Sequence, residues 1–166
     1  KSVNVVTARL IHSVGPKTVV RLAKKAGISS YIPPYPSIAL GTLDASLYDM
    51  VGAYAMFANK GLRINQMIVL RIEDRNGTVL QHFTPETSQV LSEESAYTVL
   101  ELLKGVTEDG SGVRLRGRWG KYPDSISTGY PYDLKNPVAG KTGTTQNHSD
   151  GWFMGVVPNL ATGVWT

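Results

Sequence analysis

Three observations predict an α+β protein. Apolar residues recur at helical spacing over residues 2–14, 17–26 and 46–61 and again after residue 92. Between those stretches, two short β-rich runs flank a single Asn-Gly pair. The last third, from residue 138, alternates strand-like runs with polar turns and shows no further helix.

Taken in order, Ser2 precedes Val3, Val6, Leu10 and Val14, a helical spacing that stops at Gly15-Pro16, with Ser2 or its neighbour expected as N-cap. A second helix is predicted over 17–26, burying Val19, Leu22, Ala23 and Ala26, with Gly27 as its left-handed C-terminal residue. Three prolines make 28–37 (ISSYIPPYPS) a loop. The clearest helix is SLYDMVGAYAMFANKG. Ser46 and Asp49 are expected to form a capping box, Leu47, Met50, Val51, Tyr54, Phe57 and Ala58 share a face, and Gly61 ends it. This is a core helix.

Residues 66–72 and 78–83 read as a hairpin around EDRNG, and a helix capped by Ser92 should run to about Lys104. Residues 105–137 are rich in Gly, Pro and Tyr and read as a surface excursion. Within it Arg114 alternates with Val113 and Leu115, which suits an edge strand with one wet face. Strands are expected over 138–142, 151–157 and 160–166.

At 166 residues the chain can form one domain with a real core, and its 42% hydrophobic content excludes disorder. No apolar run approaches the roughly 18 residues needed to span a membrane. The chain opens as though already entering a helix and stops inside a strand-like run, so a longer protein is expected around it. There is no cysteine, which removes disulfides and thiolate metal sites. His148-Ser149-Asp150 lacks metal-ligand spacing, so no metal and no cofactor is expected. The formal net charge of +4 is mild. Arg114, Arg116, Arg118 and Lys121 lie around Trp119 and Tyr122, but without a nucleic-acid-binding fold signature they are read as a wet face or a cleft rim.

The chemistry concentrates in VAGKTGTTQNHSDGWFMG, residues 138–155. A phosphate loop would need glycine at position 135, which is Lys, and a helix directly after Lys141-Thr142. Neither is present. The alternative is a strand edge that serves a serine nucleophile. Gly140 and Gly143 would clear room for a peptide, and Lys141 would supply positive potential beside the serine. Thr142 and Thr144 would offer hydroxyls to a carboxylate, and the Thr144 N–H an oxyanion donor. Lys-Thr-Gly alone is short, and a turn with a solvated lysine remains the bland reading.

Two further features favour the strand edge. Ser2-Val3-Asn4 is an S-x-N element at a helix start, and the segments SIALGTLDASLYDMVGAYAMFANKG, RIEDRNGTVL, ELLKGVTEDGSGVRLR and TTQNHSDGWFMGVVPNLATGVW follow it in order. In motifs and order the whole chain resembles the C-terminal part of the transpeptidase domain of class A, bifunctional penicillin-binding proteins, from S-x-N through Lys-Thr-Gly and beyond (residues 1–166). Its third segment, ELLKGVTEDGSGVRLR, resembles the family's helix that ends in a Gly-Thr-Gly turn.

The resemblance implies the penicillin-binding transpeptidase or serine β-lactamase-like fold, helices packed on an antiparallel sheet, here incomplete. It implies a D,D-transpeptidase that crosslinks peptidoglycan stem peptides of lipid II-derived glycan strands through a serine acyl-enzyme, and that β-lactams inhibit. By motif, Ser2 and Lys141 would relay protons, Asn4 would orient the substrate amide, and Thr142, Gly143 and Thr144 would line the substrate. A preceding glycosyltransferase domain, an N-terminal membrane anchor, an envelope location outside the cytoplasm and envelope-synthesis partners are implied likewise. The bland readings are an N-cap for Ser2 and a surface amide for Asn4.

One departure is serious. The family's nucleophile lies in S-x-x-K, and no serine here has lysine three positions later. The 166 residues alone are therefore expected to be inactive, and the absent helix to leave an apolar face exposed, favouring self-association. A β-lactamase or penicillin-sensing domain, or a non-catalytic cell-wall-binding pseudoenzyme, shares the same motifs and stands as the alternative.

Overall fold

The structure is a computed structural model, and it describes residues 2–116, 134–145 and 149–166. Helices α1 (Asn4–Val14) and α2 (Pro16–Ala26) lead into a 3₁₀ turn at Pro36–Leu40 and then α3 (Leu47–Ala58). Four short strands follow: β1 (Leu62–Ile64), β2 (Arg71–Glu73), β3 (Val79–His82) and β4 (Thr87–Gln89). Helix α4 (Glu93–Asp109), a 3₁₀ turn at Val113–Arg116, and strands β5 (Ala139–Thr144), β6 (Gly151–Val157) and β7 (Leu160–Trp165) complete the described chain. All strand pairs are antiparallel: β1 with β4, β2 with β3, and a three-stranded sheet ordered β5-β6-β7. The expected α+β architecture is present.

The core is built from an unexpected source. Ile28, Ile32 and Ile38, in and beside the proline-rich connection, are buried against Ile11 of α1. Val20, Ala23, Met50 and Ala53 pack around them. The connection has no regular structure over most of its length, yet its isoleucines fill the space between the first three helices. Helix α3 is central, as expected, and packs on α2, α4, β1, β6 and β7. It is partly buried nearly all round, with Met56 most enclosed.

The apolar stripe read from α1 points elsewhere. Val3, Val6, Leu10 and Val14 are all exposed, and Ile11 is the buried residue. On α2, Val19 and Leu22 are likewise exposed, while Val20, Ala23 and Ala26 turn inward. Both helices carry apolar side chains on two faces, and spacing alone does not say which face meets the core.

Several boundaries also differ. The α1 N-cap falls on Val3, the neighbour of Ser2 as allowed, but no side chain caps the helix. At α3, Ser46 Oγ accepts from Asp49 N–H at 3.0 Å, but the Asp49 carboxylate turns to the Ser29 N–H and hydroxyl, at 2.8 and 2.6 Å. These Ser29 hydrogen bonds hold the Asp49 pKa below its ordinary value. The helix ends at Ala58 with Asn59 as C-cap, and Gly61 stands two residues beyond that cap.

Residues 66–70 are not strand: Gln66 O accepts the Tyr48 hydroxyl instead, and hairpin pairing starts at Leu70 and Phe83. Helix α4 does start at a Ser92 cap but continues to Asp109. Arg114 lies in a 3₁₀ turn rather than an edge strand, because Gly112 N–H bonds back to Val106 O and Leu115 N–H to Gly112 O. Arg118, Trp119, Lys121, Tyr122, Asn147 and His148 lie outside the described residues.

One buried hydroxyl joins α4 to the three-stranded sheet. Thr107, only 1% exposed, donates to Val138 O at 2.6 Å, with Lys104 O at 3.1 Å as second acceptor. Thr107→Val keeps the shape but leaves the Val138 carbonyl without this donor, a loss of about 1–3 kcal/mol. A melting temperature several degrees lower is expected for the variant; an unchanged one would show that water replaces the hydroxyl.

Candidate active site

Strand β5 carries the site. It lies at the edge of its sheet and pairs with β6 in the register Lys141 to Met154, Thr142 to Phe153, Gly143 to Trp152 and Thr144 to Gly151. Among the described residues, no strand pairs with its other edge. Just beyond the strand, Thr145 N–H bonds to Asp150 O at 3.2 Å. Antiparallel alternation then turns the N–H groups of Thr142 and Thr144 toward the free edge. An extended peptide can pair there, in the manner of strand addition.

The neighbouring strands hold this edge in place. Asp150 accepts from the Thr145 hydroxyl at 2.8 Å and from Trp165 Nε1 at 2.9 Å, which closes the β5–β6 connection onto β7. Those two donors, Trp165 first, keep the Asp150 pKa low. Trp152 and Trp165 face each other across β6 and β7 with ring centroids 6.2 Å apart, so Trp152 packs within the sheet.

The two glycines also have a reason that lies within the sheet. A Cβ on Gly143 would come within 2.9 Å of Trp152 Cβ, and one on Gly140 within 2.9 Å of both Met154 O and the Phe153 ring. What these positions admit is their own neighbouring strand, in close approach.

Lys141 is the centre of the polar arrangement. Its Nζ donates to Ser2 Oγ at 2.6 Å, across 139 residues of sequence, and to Thr142 O at 2.6 Å. An ammonium has three N–H groups, so one remains for a substrate or nucleophile. Partial burial lowers the Lys141 pKa from its ordinary value, since desolvation penalises the charged form. Ser2 Oγ, in accepting from Lys141, keeps its own O–H free to donate.

Thr142 and Thr144 are two apart on the strand and share one face. On that face Thr142 Oγ1 meets Ser111 Oγ at 2.5 Å. Ser111 was not among the site residues read from the sequence, although the Gly-Ser-Gly turn that carries it was visible. Asn4 opens α1 and is exposed. Its carbonyl accepts the Thr7 hydroxyl, and it is near Ser2 in sequence rather than bonded to Lys141. The structure thus brings Ser2, Lys141, Thr142 and Ser111 into one connected line, with Gly143 and Thr144 next along the strand.

Comparison with known proteins gives the family of the chain. The family model of the penicillin-binding protein transpeptidase domain matches residues 1–165. Penicillin-binding protein 1A of Aquifex aeolicus is 34% identical over 99% of this chain, and penicillin-binding protein 2D of Bacillus subtilis is 35% identical over 92%. The chain spans only about a fifth of each relative, 20% and 21%. Penicillin-binding protein 1A from Haemophilus influenzae superposes with a TM-score of 0.81 over 99% of this chain and 28% of its own; at 21% identity that likeness concerns the fold. PonA1 from Mycobacterium tuberculosis, solved in complex with penicillin V, is 26% identical with a TM-score of 0.72 over 95% of this chain and 43% of its own. By sequence and by fold, the chain belongs to the penicillin-binding protein transpeptidase family.

Proposed function

We propose that these residues are the S-x-N to Lys-Thr-Gly part of a D,D-transpeptidase domain that crosslinks peptidoglycan stem peptides and is acylated by β-lactams. The observation that carries this reading is the 2.6 Å contact of Lys141 Nζ with Ser2 Oγ beside a strand edge that no strand among the described residues pairs. A stem peptide lies along the free edge of β5. Its terminal carboxylate meets the Thr142 and Thr144 hydroxyls, and the Thr144 N–H faces the developing oxyanion.

The attacking serine and its lysine come from outside these 166 residues, since no S-x-x-K occurs among them. As the serine gives its proton to that lysine, its oxygen bonds to the penultimate D-alanine carbonyl carbon, and the peptide C–N bond breaks. The departing D-alanine nitrogen takes a proton from Ser2 Oγ, which Lys141 replenishes through the hydrogen bond already in place. Asn4, two residues after Ser2, orients the substrate amide. An amine of a neighbouring strand then bonds to the acyl carbon and the serine O–C bond breaks; the amine's proton returns through Ser2 to Lys141, and the serine takes back its own from the lysine beside it. The full-length protein is placed in the cell envelope by a membrane anchor and works with envelope-synthesis partners.

Intact mass after exposure to benzylpenicillin tests the proposal. A full-length protein carrying these residues should gain one penicillin and release it slowly, while the 166-residue chain should remain unmodified. Rapid multiple turnover of nitrocefin would make the protein a β-lactamase. No acylation of the full-length protein would make it a non-catalytic binding module.

A further inference from the structure

The Gly110-Ser111-Gly112 turn has no role in the relay just described, yet it is held with unusual care. A Cβ on Gly110 would lie 2.6 Å from Val106 Cα and 2.7 Å from Val106 O, so the chain folds back hard against the last turn of α4. Gly112 N–H secures the fold-back on Val106 O at 2.9 Å. Arg116 then fastens the turn from beyond: its Nε donates to Thr107 O at 3.2 Å and its Nη1 to Leu134 O at 3.0 Å. Thr107 in turn is bonded to Val138 O, one residue before β5. Each link ties the turn to the strand, and the product is one contact, Ser111 Oγ against Thr142 Oγ1 at 2.5 Å.

Two hydroxyls at that distance share one proton and leave one. If Ser111 donates, the Thr142 O–H is free; if Thr142 donates, the Ser111 O–H is free. Either way the pair presents a single remaining donor, polarised by its neighbour, on an open face of the cleft. Ser111 is exposed and Thr142 partly so, which leaves that donor accessible. The Lys141 ammonium belongs to the adjacent residue and supplies positive potential for an anion there.

We infer that Ser111 is a specificity-determining residue, one half of a Ser111–Thr142 hydroxyl pair that recognises the terminal carboxylate of the stem peptide or of a β-lactam. The inference rests on the transpeptidase reading above, and it assigns a role to a residue outside the three motifs. The pair binds as a unit: without Ser111, the Thr142 hydroxyl loses the partner that orients it and rotates freely about its own bond.

The test is the acylation of the full-length protein by benzylpenicillin and by its methyl ester, which lacks the carboxylate charge. The ratio of the two second-order rates does not depend on the fraction of active protein, so partial misfolding leaves it unaffected. Ser111→Ala should lower the acid-to-ester ratio about tenfold, the size expected for a hydrogen bond to a charged group. Ser111→Thr, which keeps the hydroxyl, should restore the ratio to within about twofold. An unchanged ratio in Ser111→Ala overturns the inference while leaving the transpeptidase reading intact. Failure of the wild-type protein to acylate at all would overturn both.

Discussion

Lys141→Ala in the full-length protein should lower the second-order rate of acylation by penicillin roughly 10²- to 10⁴-fold, the range for loss of a positioned proton-transfer group. The basis is geometric. Lys141 Nζ contacts the only side chain, Ser2, that the relay assigns to the departing nitrogen, and a second hydrogen bond to Thr142 O fixes the ammonium in place. Lys141→Arg separates charge from proton transfer. A guanidinium keeps the positive potential but stays protonated throughout the accessible pH range. It should therefore recover little of the lost rate. Recovery to within a few-fold of wild type would mean that Lys141 acts as a fixed charge, and a loss below tenfold in Lys141→Ala would remove it from the relay.

The pH dependence follows from the same burial. The folded-state pKa of Lys141 lies below the ordinary lysine value because the ammonium is partly desolvated. The charged form is thus disfavoured in the fold relative to the unfolded chain. That cost to stability is fully present at pH below the folded pKa and is relieved as pH rises from there toward the unfolded one. Under the proposed relay, the same desolvation brings Lys141 closer to the neutral form that can take up a proton.

Local signals in the sequence held up where local physics decides the outcome. The α4 start is set by Ser92 accepting from Ser95 N–H, and the β2–β3 turn by Asp74 accepting from the N–H groups of Asn76 and Thr78. The β5, β6 and β7 strands follow runs that nothing helical interrupts. Errors arose where two local choices are equal. The α1 and α2 helices each have two apolar faces, and only the burial of Ile28, Ile32 and Ile38 decides that Ile11 and Val20 turn inward. The β1–β4 pair, with three residues in each strand, gives no periodicity to read; its pairing is set by the ends of α3 and α4.

The site divides the same way. Ser2-Val3-Asn4 and Lys141-Thr142-Gly143 are legible as motifs, but their meeting is a contact across 139 residues that no window contains. Gly140 and Gly143 are recognisable as required small residues, and the fold adds a reason in Trp152, Phe153 and Met154 of the next strand. Ser111 was missed as a site residue because a serine between glycines is common in turns. The signal that would have found it is the tight Gly110–Gly112 fold-back immediately after a long helix.

Gly61→Ala should be the most destabilising small substitution away from the site, and Gly77→Ala shows why. Both glycines have positive φ, 81° and 83°, so both alanines meet the same left-handed backbone cost of about 1 kcal/mol. At Gly77, in the hairpin turn, nothing lies within 4 Å of the new Cβ. At Gly61 the Cβ would sit 2.3 Å from Leu91 O, a backbone atom that gives way only if the chain moves. That chain is fastened: Val90 and Leu91 N–H both bond to Gly61 O, and Gln89 Nε2 bonds to Lys60 O and Leu91 O. Strain of this kind adds about 1–3 kcal/mol to the backbone term. For a domain of this size the melting temperature should fall on the order of 10 °C for Gly61→Ala and about 2–4 °C for Gly77→Ala. Equal shifts would mean that the Leu91 backbone relaxes at no cost. The displacement should also reach the site. Leu91 adjoins the Ser92 cap of α4, and α4 carries both Thr107, bonded to Val138, and the turn that presents Ser111. In the full-length protein, then, Gly61→Ala should slow acylation measurably at a temperature where Gly77→Ala does not.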